Sequence, residues 1–306
     1  MHNNQKALDI TMEDFVKKSP NFFILGAAKA GTTSLYKLLI QHPDIFLPAD
    51  KEPRFFSSDD YFNKGVNVYI RNHFNSSQNF IARGDASPPY LSNHEKAAPR
   101  IHQAFGVQLR FMIIMRDPVK RAWSHYLHQV RYGVERNSFS NALATENIVP
   151  REKRPAWTSY YGDGLYAKQI KGWLNYFPKK NFLFLFTEDL NNDFTKVAQT
   201  AFDFLGVNAE FSVAQEHSNV SGRSKYLWLG SMLNRPNYAT QAIKHLFPYI
   251  LRKHIRDAVN RWNKEPFTDP PILDTYIEQE LRRKYMQDIV ETEMLTGRNL
   301  SHWKAC

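Results

Sequence analysis

An α/β fold, with a mainly parallel sheet and helices on both of its faces, is what this sequence predicts, and three observations predict it. Short apolar runs at 22–25, 107–115 and 181–186 alternate with longer segments whose apolar residues recur at helical spacing. A glycine-bearing bend, from Gly26 to Gly31, joins the first run to the first amphipathic segment. With 306 residues, 42% of them hydrophobic and 14% aromatic, the chain can bury a substantial core. No internal repeat, low-complexity tract or clear second domain interrupts it, so 1–19 reads as a short leader and 20–306 as one domain.

The leader holds Asp9, Glu13 and Asp14 and no continuous apolar core, and Pro20 stops it before the first strand. That strand ends at Gly26, and a helix begins near Leu35 with Leu38 and Leu39 on one face. The glycines between them let backbone N–H groups turn inward, and the new helix adds its positive end, so an anion is the natural guest. An ordinary strand-to-helix turn is the plainer alternative. The bend approaches the nucleotide-binding pattern G-x-x-x-x-G-K-[ST], which makes the expected architecture a P-loop-like three-layer one, but Thr32 stands where that pattern has lysine. The lysine comes earlier, as Lys29. A kinase or ATPase works the later lysine on the outer phosphates and needs a carboxylate for magnesium. This bend suits a different phosphoanhydride.

Residues 42–48 read as a loop with a short strand, leading into Lys51, Glu52, Pro53 and Arg54 before two phenylalanines. That charged stretch is a solvated turn above a core anchor unless the chain returns to the mouth of the bend. In that case Glu52 is a carboxylate able to take a proton from an attacking hydroxyl. A short strand over 80–85 ends at two prolines, and Asp85, Ser87 and Tyr90 are expected to line a pocket rim there, with a helix over 94–105 next. The apolar run 107–115 is the clearest buried strand. It ends at Arg116, with Asp117 as a cap and Pro118 at the first helical position. Ser124 comes about two turns later, on the face near the cap, so Arg116 and Ser124 can grip one phosphate; a salt bridge and a surface serine are the alternatives.

The polar stretch 133–160 reads as an irregular insertion or lid. A helix from Gly164 through Trp173 and Phe177 is closed by Pro178. A strand over 181–186 and a helix to about Leu205, ended by Gly206, follow. Ser221, Gly222, Arg223 and Ser224 form a small basic loop, a surface turn or a closure over a nucleotide. The segment 238–262 places Lys244, Arg252, Lys253, Arg256 and Arg261 among apolar residues, as a packed helix with a basic face or a surface for a membrane or an acidic polymer. The end is helical from Leu281, turning at 296–299.

The net charge of +10 suits an acidic cofactor or substrate and is equally compatible with nucleic acid or a membrane surface. Cys306 is the only cysteine, which excludes an internal disulfide and leaves no thiolate metal site. No apolar run approaches the length of a membrane span. These features predict a cytoplasmic protein with no transmembrane segment.

Taken together, the motifs resemble the sulfotransferases that use 3′-phosphoadenosine 5′-phosphosulfate (PAPS), particularly the heparan-sulfate-type and bacterial members. GAAKAGTTSL (26–35) is similar to that family's 5′-phosphosulfate loop and RDPVKRAWSHY (116–126) to its 3′-phosphate motif. KEPRFF (51–56), SPPYL (87–91), TEDL (187–190), SGRS (221–224) and TGRNLSHW (296–303) follow in family order. The resemblance implies that Lys29 neutralises the leaving phosphate and that Ala30, Gly31, Thr32 and Thr33 supply donors. It implies that Arg116 and Ser124 hold the 3′-phosphate, that Ser221, Gly222, Arg223 and Ser224 close the nucleotide site, and that Glu52 is the general base. Should Glu52 not serve, His94 or Asp85 is next in line. A sulfuryl group carries less negative charge than a phosphoryl group, so lysine and loop donors are expected to act without a metal, in an in-line displacement that leaves 3′,5′-ADP. The expected acceptor is a hydroxyl of a saccharide or small molecule, with no nucleic-acid partner. The family's KEP motif commonly continues with histidine, where Arg54 stands here. Two rival readings are a P-loop kinase or NTPase and a non-catalytic member of the fold that binds an anionic polymer.

Overall fold

The computed structural model describes residues 10–150, 153, 158–214, 222–226, 258–260, 262–266 and 271–305. Ser221 and nearly all of the basic segment 238–262 lie outside them. In chain order the elements are α1 (Met12–Lys18), β1 (Phe22–Gly26), α2 (Thr32–Leu39), β2 (Ile45–Phe46), α3 (Asp59–Phe62), α4 (Val66–His73), β3 (Ala82–Ala86), α5 (Pro89–Ser92), α6 (His94–Phe105) and β4 (Arg110–Met115). Then come α7 (Pro118–Arg131), α8 (Phe139–Ile148), α9 (Tyr166–Leu174), β5 (Phe182–Phe186), α10 (Thr187–Asn192), α11 (Phe194–Leu205), β6 (Gly222–Ser224), β7 (Lys264–Pro266), α12 (Thr275–Thr296) and α13 (Ser301–Lys304). The chain divides into two compact units, one of Met1–Pro118, Leu165–Ser218 and Tyr285–Ala305, the other chiefly of Val119–Gly164 and Asn219–Lys284.

The first unit is built on a five-stranded sheet in the order β2-β3-β1-β4-β5. Every neighbouring pair runs parallel. A parallel sheet covered on both faces needs strands that are apolar throughout, and β1 and residues 111–115 of β4 are buried at every position. Because successive side chains alternate, β1 sends Phe22 and Ile24 to one face and Phe23 to the other. On the first face they meet Leu35, Leu38 and Leu39 of α2 and Val197, Ala201, Phe202 and Leu205 of α11. On the second, Phe23 packs on Phe56, Tyr90, Phe105 and Phe111, and Phe111 on Trp173 and Phe177. Helix, sheet and helix thus form three layers, as the alternating pattern predicts. Gly84 pairs with Phe22, and a Cβ there would lie 2.1 Å from the Phe22 ring, so only glycine lets the ring cross β3.

Two stretches differ from the sequence reading. Short helices α3 and α4 fill the interval after Phe56, where Ser58 caps α3 by accepting from Tyr61 N–H and Tyr69 brings α4 against Phe55 and Phe56. In the second unit, the stretch expected to be irregular contains α8, and Glu146 near its end accepts from Tyr161 N–H, Gly162 N–H and the Ser159 hydroxyl. Buried Arg121 of α7 donates to the Tyr160 carbonyl, and Tyr160 donates to Glu135 at 3.1 Å. β6 and β7 pair antiparallel, Arg223 opposite Glu265. Among the described residues, no helix is long and apolar enough to cross a membrane.

Candidate active site

The strand order reverses direction at β1, whose neighbours β3 and β4 lie on opposite sides. Crevices at the carboxyl ends of such strands are where open α/β sheets take ligands. The bend after β1 sits there. Ala27 N–H donates to the Ile114 carbonyl at 2.7 Å, which fastens the bend to β4. Lys29 (φ 68°) and Gly31 (φ 101°) both adopt left-handed backbone. A Cβ on Gly31 would press on the Ile114 side chain at 3.3 Å, so both its φ and its neighbours call for glycine. Gly31 precedes α2 without a side-chain cap, and a helix start of that kind is where an anion can be held. The Thr187 hydroxyl, at the start of α10, lies 2.6 Å from the Ala30 carbonyl and 3.0 Å from the Met115 carbonyl. One side chain thereby ties the bend to the residue before Arg116.

Arg116 follows β4 directly and is half-buried. Its carbonyl accepts from the Tyr166 hydroxyl at 2.8 Å, while its guanidinium makes no hydrogen bond or ion pair among the described residues. A partly desolvated cation with no partner among the described residues, at a strand end, is a seat for an anion. Lys29, Ala30, Gly31, Thr32, Thr33, Glu52 and Arg116 all belong to the first unit. Ser124, half-buried on α7, and Gly222, Arg223 and Ser224, whose backbone forms β6, belong to the second.

Glu52 reaches the bend through Lys51, which the sequence reading did not single out. The Lys51 ammonium donates to the Thr33 hydroxyl at 2.7 Å and stands 3.8 Å from Glu52 Oε1. α2 holds this segment in place. The Tyr36 hydroxyl donates to the Pro48 carbonyl at 3.0 Å, and the Lys51 ammonium lies 5.9 Å from the Tyr36 ring. Burial pushes the Lys51 pKa down, against the pull of Glu52 and with the push of Arg54. Arg54 donates from Nε and Nη2 to Glu52 Oε2, at 3.1 and 2.5 Å. Glu52 therefore presents Oε1 beside Lys51 and has Oε2 already engaged. The signal for Lys51 was present in the sequence: it precedes the candidate base in a segment whose value depended on a return to the bend.

The expectation that Asp85, Ser87 and Tyr90 line a pocket rim is wrong, for all three are fully buried. β3 is an interior strand, and the turn beyond it folds back as α5 over β1. The Asp85 carboxylate accepts from Ser87 at 2.6 Å and from Tyr69 and Tyr90 at 2.8 Å each. Burial pushes its pKa up to about 6, the three hydroxyls pull it down, and nearby Glu52 pushes it up further. Sealed from solvent, Asp85 cannot touch an acceptor and is not a substitute base. His94, at the start of α6, packs on Gly172, where a Cβ would lie 2.1 Å from the His94 ring.

Residues 19–226 match the family described as Sulfotransferase domain. Heparan sulfate glucosamine 3-O-sulfotransferase 3A1 of Mus musculus is 30% identical over 200 residues, which are 65% of this chain and 49% of the relative. Bifunctional heparan sulfate N-deacetylase/N-sulfotransferase 4 of Mus musculus is 28% identical over 207 residues, 64% of this chain and 23% of the relative. The chain thus spans half or less of the length of these relatives. The crystal structure of a sulfotransferase from Alicyclobacillus acidocaldarius superposes with a TM-score of 0.70 at 27% identity, covering 94% of this chain and 99% of that one.

Proposed function

The chain belongs to the sulfotransferase domain family, and from that premise we propose that it transfers a sulfuryl group from PAPS to a hydroxyl of a saccharide or small-molecule acceptor. The observation that carries the reading is the Lys51 link, which joins a carboxylate, Glu52, to the Thr33 hydroxyl in the first turn of α2, directly after the anion-binding bend. Against a kinase-type site stands Thr32, in the position where that loop carries its lysine. The two left-handed residues, the start of α2 without a side-chain cap and Arg116, which has no guanidinium partner among the described residues, fit a doubly phosphorylated adenosine.

When bound, that donor supplies an activated sulfuryl group and departs as 3′,5′-ADP. Glu52 Oε1 takes the acceptor's hydroxyl proton, which turns the oxygen into a nucleophile. Lys29 and the first-turn N–H groups of α2 neutralise the charge that collects on the departing phosphate oxygen. Thr33, already held by Lys51, orients that phosphate. By the resemblance of their motifs, Arg116 and Ser124 are assigned to the 3′-phosphate, and Ser221, Gly222, Arg223 and Ser224 to closure over the nucleotide. The saccharide acceptor is proposed from the relatives named for heparan sulfate.

Calorimetry tests the donor: 3′,5′-ADP binds at least tenfold more tightly than AMP, which lacks the 3′-phosphate, and equal affinities overturn the reading. Acceptors are then screened with sulfur-labelled PAPS. Magnesium-dependent transfer from ATP in the same screen would replace the sulfotransferase reading with a kinase one.

A further inference from the structure

The segment that carries Glu52 is anchored from behind by a group the reaction does not use. After Glu52 the chain turns through Arg54 in left-handed backbone, φ 56°, and enters a short 3₁₀ turn, Phe55–Ser57. A non-glycine residue in that conformation is held there by its surroundings. Two backbone donors flank it. Arg54 N–H donates to the Ser87 hydroxyl at 2.9 Å, and Phe56 N–H to the Tyr90 hydroxyl at 3.4 Å. Both hydroxyls spend their own protons on Asp85. The ionised carboxylate, which has no donor of its own, thus turns Ser87 and Tyr90 so that their lone pairs face the two amides. Tyr69 from α4 completes the set on Oδ2.

The same turn also abuts the anion-binding bend. Gly26, the last residue of β1, lies against Leu91 and the Pro88 carbonyl so closely that a Cβ would stand 2.8 Å from Leu91 Cβ. One rigid piece, 85–91, therefore touches both the bend and the segment bearing the base.

Resting on the reading of Glu52 as base, we infer that Asp85, acting through Ser87 and Tyr90, is the positioning residue that sets Glu52 against the phosphosulfate seat. The role is one of geometry: Asp85 is sealed and never meets substrate. An anchor of this kind acts on turnover rather than on cofactor affinity, because a misplacement of about 1 Å costs roughly a hundredfold in rate.

The test is a double-mutant cycle on the full chain with Ser87→Ala and Glu52→Gln, reading kcat, KM for PAPS and calorimetric affinity for 3′,5′-ADP. Ser87→Ala deletes one buried oxygen, a smaller insult to folding than Asp85→Asn, which serves as the second variant. The expected result for Ser87→Ala is about a tenfold loss of kcat with KM and 3′,5′-ADP affinity within twofold, and no further loss once Glu52 is glutamine. Unchanged kcat in Ser87→Ala, an equal loss in both backgrounds, or a loss confined to 3′,5′-ADP affinity each overturns the positioning role and leaves the base standing. Normal turnover in Glu52→Gln alone overturns the base, and with it this inference.

Discussion

Two cations meet at Glu52, and what each touches decides its part. Arg54 takes Oε2 and is the more exposed of the two, whereas Lys51 joins Oε1 to the Thr33 hydroxyl. Glu52→Gln keeps the shape of this cluster and removes its capacity to accept a proton. The expected outcome is a fall in kcat of about 10²–10⁴-fold with unchanged 3′,5′-ADP affinity, read by initial rates and calorimetry. Arg116 has the opposite profile, since its guanidinium has no partner among the described residues and its role is proposed to be binding alone. Arg116→Ala should weaken 3′,5′-ADP by roughly 10–100-fold, the loss of charge-assisted hydrogen bonds, and leave AMP affinity unchanged. Unaltered 3′,5′-ADP affinity would move the 3′-phosphate elsewhere.

Elements, rather than single residues, set the distances among these groups. β1 and β4 are adjacent, so the bend after one and Arg116 after the other fall at the same edge, and Thr187 at the start of α10 clips them together. Thr187→Val keeps the shape and removes the clip. We expect a stability loss of about 1–3 kcal/mol from the hydroxyl's lost hydrogen bond, measured by urea unfolding, and weaker 3′,5′-ADP binding in the same variant. β4 also supplies the core of the second face through Phe111, whose ring lies 4.5 Å from Phe177 and 5.0 Å from Phe182. Phe111→Ala should cost about 3–5 kcal/mol, a loss felt throughout the first unit.

For the molecule as a whole, Asp85 makes stability and turnover respond to pH in opposite senses. Its carboxyl titrates near 6 in the folded chain against 3.8 for the ordinary group, because burial outweighs the pull of Ser87, Tyr90 and Tyr69 and Glu52 adds to the rise. Between about pH 4 and 6 the folded protein therefore binds more protons than the unfolded one, and stability falls as pH rises through that window. The loss amounts to roughly 3 kcal/mol, complete above pH 6. Asp85→Asn, measured by urea unfolding from pH 4 to 7, should gain on the wild type by about that amount as pH rises. A constant difference would deny the shift. Turnover runs the other way: only the ionised group orders Ser87 and Tyr90, so kcat should decline below about pH 6. Much of this architecture was legible in the chain itself. Gly26, Gly31 and the leucines after them mark the bend and α2, the segment 94–105 is the helix α6, and Pro118 opens α7, because strand, bend and helix start each depend on neighbours within a few positions. The partners that make a site of them are farther apart, Lys51 from Thr33 by 18 positions and Arg54 from Ser87 by 33. Strand order, which no local pattern encodes, put β3 inside the sheet and so turned Asp85 from an expected rim residue into a buried anchor. Sequence alone determined which residues can bind an anion or accept a proton, since that chemistry resides in the side chains; the tertiary structure decided which of them meet and which are shut away from water, since contact and burial are properties of the packed chain.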